Sequence, residues 1–120
     1  MTTHTWLTVV ALCCPLMILG GCQERVVRVP DRVWDAAMAY CEHRRTCSGY
    51  RFFEYYTSIE DCADIMTKYF PWDRYTEVCI EAHIATFECE AAEPCYPEPY
   101  SCDLPNQLRS YHCWRFDTAY

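Results

Sequence analysis

Glycine is scarce in this sequence: there are three, Gly20, Gly21 and Gly49. That excludes a glycine-rich phosphate loop and the Gly-x-Ser-x-Gly turn that exposes a catalytic serine. The eleven cysteines include no Cys-x-x-Cys pair, so the tight ligand spacing of common zinc sites is missing. Cations are few, 10 Lys and Arg against 17 Asp and Glu, for a net charge of -7. A nucleic-acid partner is not expected, because phosphate neutralisation needs basic side chains. Docking on anionic lipid through such side chains is disfavoured for the same reason. Long apolar runs are also absent. The longest, Trp6 to Leu19 and on to Gly21, is 16 residues and contains Pro15, short of the roughly 20 that span a bilayer.

What is abundant is cysteine and aromatic side chains. Eleven cysteines in 120 residues is the density of a disulfide scaffold in a short secreted chain. Ten Tyr, five Phe and four Trp argue for a folded chain, since disordered segments are poor in aromatics. A domain this small buries a limited core, so covalent staples are expected to supplement it.

The N-terminal apolar run carries no charge and one polar residue, Thr8. Its length suits the central segment of a signal peptide, although only Thr2, Thr3, His4 and Thr5 precede it, without Lys or Arg. The run ends in Leu19-Gly20-Gly21-Cys22, which resembles the lipobox of bacterial lipoproteins. The resemblance implies cleavage after Gly21 and a diacylglycerol thioether on Cys22. Each buried CH2 adds about 0.8 kcal/mol, so two or more chains would anchor the protein stably. The resemblance also implies export to the cell envelope, with Gln23 rather than Asp after Cys22 favouring the outer membrane. The expected organisation is a signal peptide over 1–21, a lipidated tether over 22–30 and a cysteine-rich helical domain over 31–120.

Eight cysteines then remain: Cys41, Cys47, Cys62, Cys79, Cys89, Cys95, Cys102 and Cys113. An even number in an oxidising compartment predicts four disulfides. Eight cysteines allow 105 pairings. Cys47 with Cys62 is the pair to expect first, because a short connector separates two helices that should pack antiparallel.

Apolar spacing predicts the helices. The first starts with Asp31 as cap, runs through Val33, Ala37, Tyr40, Cys41 and Arg44, and closes at Gly49. An aromatic connector, Tyr50 to Tyr56, follows. Thr57 with Glu60 and Ser58 with Asp61 offer two overlapping capping boxes for a second helix, with Ile59, Cys62, Ile65, Met66, Tyr69 and Phe70 on one face. Pro71 ends it. Asp73 is the expected cap of a third helix. This one is apolar over a wide arc apart from a stripe of Glu77, Glu81 and Glu88, so it should be central. Beyond Glu93, Pro94, Pro97, Pro99 and Pro105 predict an irregular Pro/Tyr-rich tail, with at most a helical turn near Gln107 to Tyr111. The fold class expected is mainly α: a small disulfide-stapled bundle of about three helices. The lipobox, Tyr40-Cys41, Cys47, the capped helix with Cys62, and Cys79 together resemble small cysteine-rich lipoproteins of Gram-negative soil bacteria. That likeness implies location and fold, and no activity.

His43 with Cys47, and His112 beside Cys113, are possible metal or redox groups, but oxidation would consume the thiolates. Glu77 with Glu81, or Asp61 with Asp64, could act as an acid/base pair only with one raised pKa in a cleft; solvated helix faces are the commoner meaning of such spacing. Trp34, Tyr50, Phe53, Tyr56, Trp72 and Trp114 are candidates for an aromatic contact surface, against the plain alternative that they form the core. Tyr96-Pro97-Glu98-Pro99-Tyr100 could be a stiff recognition segment. The expectation is therefore a membrane-anchored envelope protein that touches a protein or glycan partner, with no cofactor and no catalysis. A small envelope enzyme, or a metal or redox protein using His and Cys, is the alternative.

Overall fold

The computed structural model describes residues 27–97 and 100–117. The expected signal peptide, Cys22 and the first part of the tether lie outside the described residues. Val27 and Val29 pack against the core, so the packed body begins before the first helix.

That helix, α1, spans Asp31–Ser48. Val33, Ala36, Ala37 and Cys41 are its buried residues, one stripe at helical spacing. Asp31 is not its cap. Pro30 precedes the helix in extended conformation, and its carbonyl accepts from the amides of Val33 and Trp34 at 3.0 Å each. Asp31 instead stands in the first turn, where a carboxylate suits the helix dipole. The helix stops at Gly49, whose φ of +60° is a conformation that glycine alone adopts cheaply. The aromatic connector is itself helical: a 3-10 turn over Gly49–Arg51, then a single turn, α2, over Phe52–Tyr55. Only Phe52 of the connector is buried.

Helix α3 spans Ile59–Thr67. Of the overlapping capping boxes, the chain uses a merged version. Ser58 Oγ accepts from the Asp61 amide at 3.0 Å, and Asp61 Oδ2 accepts from the Thr57 amide at 2.9 Å. The helix ends three residues before Phe70, and the following turn carries Trp72 into the core, where its Nε1 donates to the Thr67 carbonyl at 2.7 Å. Helix α4 spans Glu77–Ala92. Its cap is Thr76, whose Oγ1 accepts from the Cys79 amide at 3.3 Å, rather than Asp73. Trp72 and Tyr75 are both buried, and seating them holds the chain out of helix until Thr76.

Of the irregular tail expected after Glu93, the described residues 93–97 and 100–102 are non-helical, and the rest of the expectation fails. From Asp103 to Asp117 the chain forms a fifth helix, α5, of 15 residues. Pro105 does not prevent this, because it is the third residue. The first-turn amides have no partner inside a helix, so proline there costs no hydrogen bond.

Helix α1 packs on both α3 and α4, and α5 packs on the other side of α4. The chain is thus a mainly helical body, and the four disulfides follow its contacts. Cys41–Cys62 joins α1 to α3, and Cys79–Cys113 joins α4 to α5. Cys89–Cys102 ties the end of α4 to the start of α5. Cys47–Cys95 ties the end of α1 to the loop after α4. The expected Cys47–Cys62 pair is not formed. Helices α1 and α3 do pack together, but it is Cys41, six residues earlier and fully buried, that meets Cys62.

Candidate functional site

The aromatic residues singled out by sequence do not form one surface. Trp72 is 3 % exposed and belongs to the core. Trp34 and Tyr56 are half-buried against it. Tyr50 and Phe53 are exposed on the connector, and Trp114 is exposed on α5. The Tyr96–Tyr100 segment is described only at Tyr96, Pro97 and Tyr100. Both tyrosines are exposed, and Tyr100 has a positive φ of 69°.

The carboxylate pairs resolve into ordinary surface chemistry. Arg32 of α1 bridges Glu77 and Glu81, the latter at 2.6 Å, and all three side chains are well exposed. Hydrogen bonding to Glu77 raises the Arg32 pKa above its ordinary value. Asp61 is spent on the cap of α3, and Asp64 lies 3.7 Å from Lys68.

Two places gather chemistry that the sequence only half announces. The first is His83, on the buried side of α4. Its ring stacks on Tyr75 at 5.2 Å and meets Phe70 and Trp72 edge-on at 4.8 and 4.9 Å. It is 1 % exposed, and neither ring nitrogen has a hydrogen-bond partner among the described residues. Burial, with a smaller push from Arg109, lowers its pKa to about 4, so the ring is neutral at pH 7. The sulfurs of Cys79 and Cys113 lie within 4.8 Å of its ligand atoms. They are bonded to each other, so they offer no thiolate to a metal. The same holds for Cys89 and Cys102 beside Glu93. Sequence reading passed over His83. The signal was its position four residues after Cys79 and four before Phe87, in the middle of the apolar arc.

The second place is a cleft of about 230 Å³ where the end of α1 meets the loop after α4. Arg44 donates to the hydroxyls of Tyr40 and Tyr56, at 3.2 Å each, and lies over both rings. Across the cleft stand Glu90 and Glu93. Burial raises the Glu90 carboxyl above its ordinary value. At the mouth, His43 Nε2 lies 3.6 Å from Cys47 Sγ, and Cys47 is bonded to the exposed Cys95. The His43–Cys47 spacing on α1 therefore brings together the two groups that sequence reading paired, with the sulfur in a disulfide. His112 points elsewhere: its ring meets Tyr111 edge-on.

The described surface also carries an apolar row. Leu104, Leu108 and Tyr111 of α5 are 66, 44 and 73 % exposed and recur at one helical face. Beside them, Val78, Ala82, Ala85, Pro105 and Leu108 line a shallow groove between α4 and α5. No helix of the described residues is long and apolar enough to cross a membrane. Compared with known proteins, the chain matches no family model, no curated protein and no solved structure.

Proposed function

We propose that this chain is an exported envelope protein, anchored by lipid on Cys22, that works by contact with other molecules rather than by turnover. One observation carries the reading: all eight cysteines after Cys22 are paired, in four disulfides. Cytosolic thiols are kept reduced, whereas exported chains keep such bonds. Cys13, Cys14 and Cys22 are the remainder, and the expected cleavage and lipidation would remove or cap all three. The role in contact rests on the exposed side chains of α5 and the connector. A row of apolar groups in water is the usual mark of a surface that meets a partner.

The test is an intact mass of the full chain, expressed in a Gram-negative host, extracted in detergent and alkylated without reduction. A mass lacking residues 1–21, carrying acyl chains and no alkyl groups, supports the proposal. A chain that retains residues 1–21, or that carries no lipid, removes the anchor. Uptake of alkylating agent by several thiols removes the oxidised scaffold, and moves metal or redox chemistry to the front.

A further inference from the structure

The four disulfides differ in reach and in electrostatic surroundings. Cys41–Cys62 and Cys79–Cys113 have no exposure on any of their four residues. The other two lie at one end of the body, where α1 and α4 stop. Between these two, the neighbours have opposite character. Cys102 Sγ lies 2.8 Å from Glu93 Oε1, and that carboxylate also accepts from Ser101 Oγ. A carboxylate there repels an arriving thiolate and disfavours a departing one. Cys47 instead has an imidazole nitrogen 3.6 Å away, from His43 one turn earlier on α1. The remaining charged groups around it are Arg44 on the same helix, and Glu90 and Glu93 across the cleft. Arg44 is held by the two tyrosine hydroxyls, Glu93 is turned to Ser101 and Cys102, and burial favours the neutral form of Glu90. His43 is therefore the group placed to meet charge on Cys47.

We propose that Cys47–Cys95 is a thiol–disulfide exchange site, which takes a dithiol as co-reactant and has His43 as the residue that stabilises the departing sulfur. The inference does not depend on the lipid anchor. The incoming thiolate attacks the exposed Cys95 Sγ, a new sulfur–sulfur bond forms there, and the Cys47–Cys95 bond breaks. The electron pair leaves on Cys47 Sγ, 3.6 Å from His43 Nε2, where the imidazole can hydrogen-bond to the departing sulfur. The second thiol of the co-reactant then attacks its own sulfur in the mixed disulfide and releases Cys95. Two electrons and two protons pass from the dithiol to the protein, and the co-reactant closes into a disulfide. The consequence is local: the bond joining α1 to the 93–102 loop opens, while Cys89–Cys102 keeps that loop attached to α4. Only the pairing of the chain reveals the site, because Cys47 and Cys95 are 48 residues apart.

The full-length protein is treated with limiting dithiothreitol as the dithiol probe. Samples are quenched with an alkylating agent and mapped by peptide mass. Cys47 and Cys95 should be labelled first, about tenfold faster than Cys89 and Cys102. His43→Gln should slow this phase about three- to tenfold, and His43→Lys, which places a cation near the sulfur, should restore it. The proposal is overturned if Cys89–Cys102 opens first, or if all four bonds open together. It also fails if the His43→Gln rate equals that of the unaltered protein, or if His43→Lys is as slow as His43→Gln.

Discussion

The two ends of the body use the same covalent bond for different purposes. Around Cys41–Cys62 and Cys79–Cys113 the sulfurs are core atoms. They lie within a cluster with Val33, Ala37, Phe52, Trp72 and Phe87 and see no water. Around Cys47–Cys95 and Cys89–Cys102 polar side chains replace the core, Cys95 is exposed, Cys47 and Cys89 are half-buried and only Cys102 is buried; these bonds hold the described non-helical residues between α4 and α5. The inner staples reinforce contacts that the helices already make, whereas the outer ones replace contacts that the loop cannot make. Sequence separation does not distinguish them, since the inner bonds span 21 and 34 residues and the outer ones 48 and 13.

The largest expected effect comes from cutting an inner staple. Removing Cys79–Cys113 as the double alanine variant should cost about 4 kcal/mol from chain entropy alone, and about 2 kcal/mol more from the vacated core. Removing Cys47–Cys95 as the double serine variant should cost about 4 kcal/mol at most, with no core term. Guanidinium unfolding followed by tryptophan fluorescence reads both. Equal losses would mean that cross-linking alone matters and that the inner and outer bonds are energetically alike.

A second contrast concerns His83, the polar group sealed inside the aromatic cluster. Its folded pKa is near 4 and its unfolded value is near the ordinary 6.5. Below pH 6.5 the unfolded chain takes up a proton that the folded chain refuses. Stability should therefore fall as the pH drops from 6.5 to 4, by about 3 kcal/mol in total, and should not respond to this group above that window. Glu90 acts in the opposite sense: its raised pKa means that folding gains as the pH falls through the carboxylate range. His83→Leu should flatten the slope between pH 6.5 and 4, and stabilise the protein by about 1 kcal/mol at pH 7 by removing a buried polar group with no hydrogen-bond partner among the described residues. An unchanged slope in this variant would show that other groups drive acid unfolding.

Smaller effects belong to the helix starts. Ser58→Ala and Thr76→Ala each remove a side-chain oxygen that accepts from a first-turn amide. Each should cost about 1 kcal/mol in thermal or denaturant unfolding. Thr76 should matter more than Asp73, and Asp73→Ala should leave the start of α4 intact. Smallest of all is Arg32→Ala. It breaks two ion pairs in open solvent, and the melting temperature should not move measurably.

These comparisons also show what could be read from the amino acids. The stripe Val33, Ala37, Cys41 and the box around Ser58 announce α1 and α3, because helix periodicity and capping are local properties. The start of α4 was misplaced because Asp73 is as good a cap as Thr76 in isolation. Only the burial of Trp72 and Tyr75 makes the later residue the right one. Helix α5 was hidden by the prolines around it, since residue type alone does not say that Pro105 falls in a first turn. Of the candidate site, the His43–Cys47 spacing was visible, but its disulfide partner was not. His83 was overlooked because a histidine in an apolar arc looks like a break in the pattern.

By itself the sequence determined a mainly helical, cysteine-rich chain: the apolar spacing selects helices, and eight cysteines can pair completely. The tertiary structure decided which sulfurs meet, that Trp72 is core, that His83 is sealed among aromatic rings, and that Cys47 ends beside an imidazole. Periodicity and capping act over a few residues and can be read along the chain. Pairing and burial depend on which residues come together across 13 to 48 positions, and packing of whole helices makes that choice.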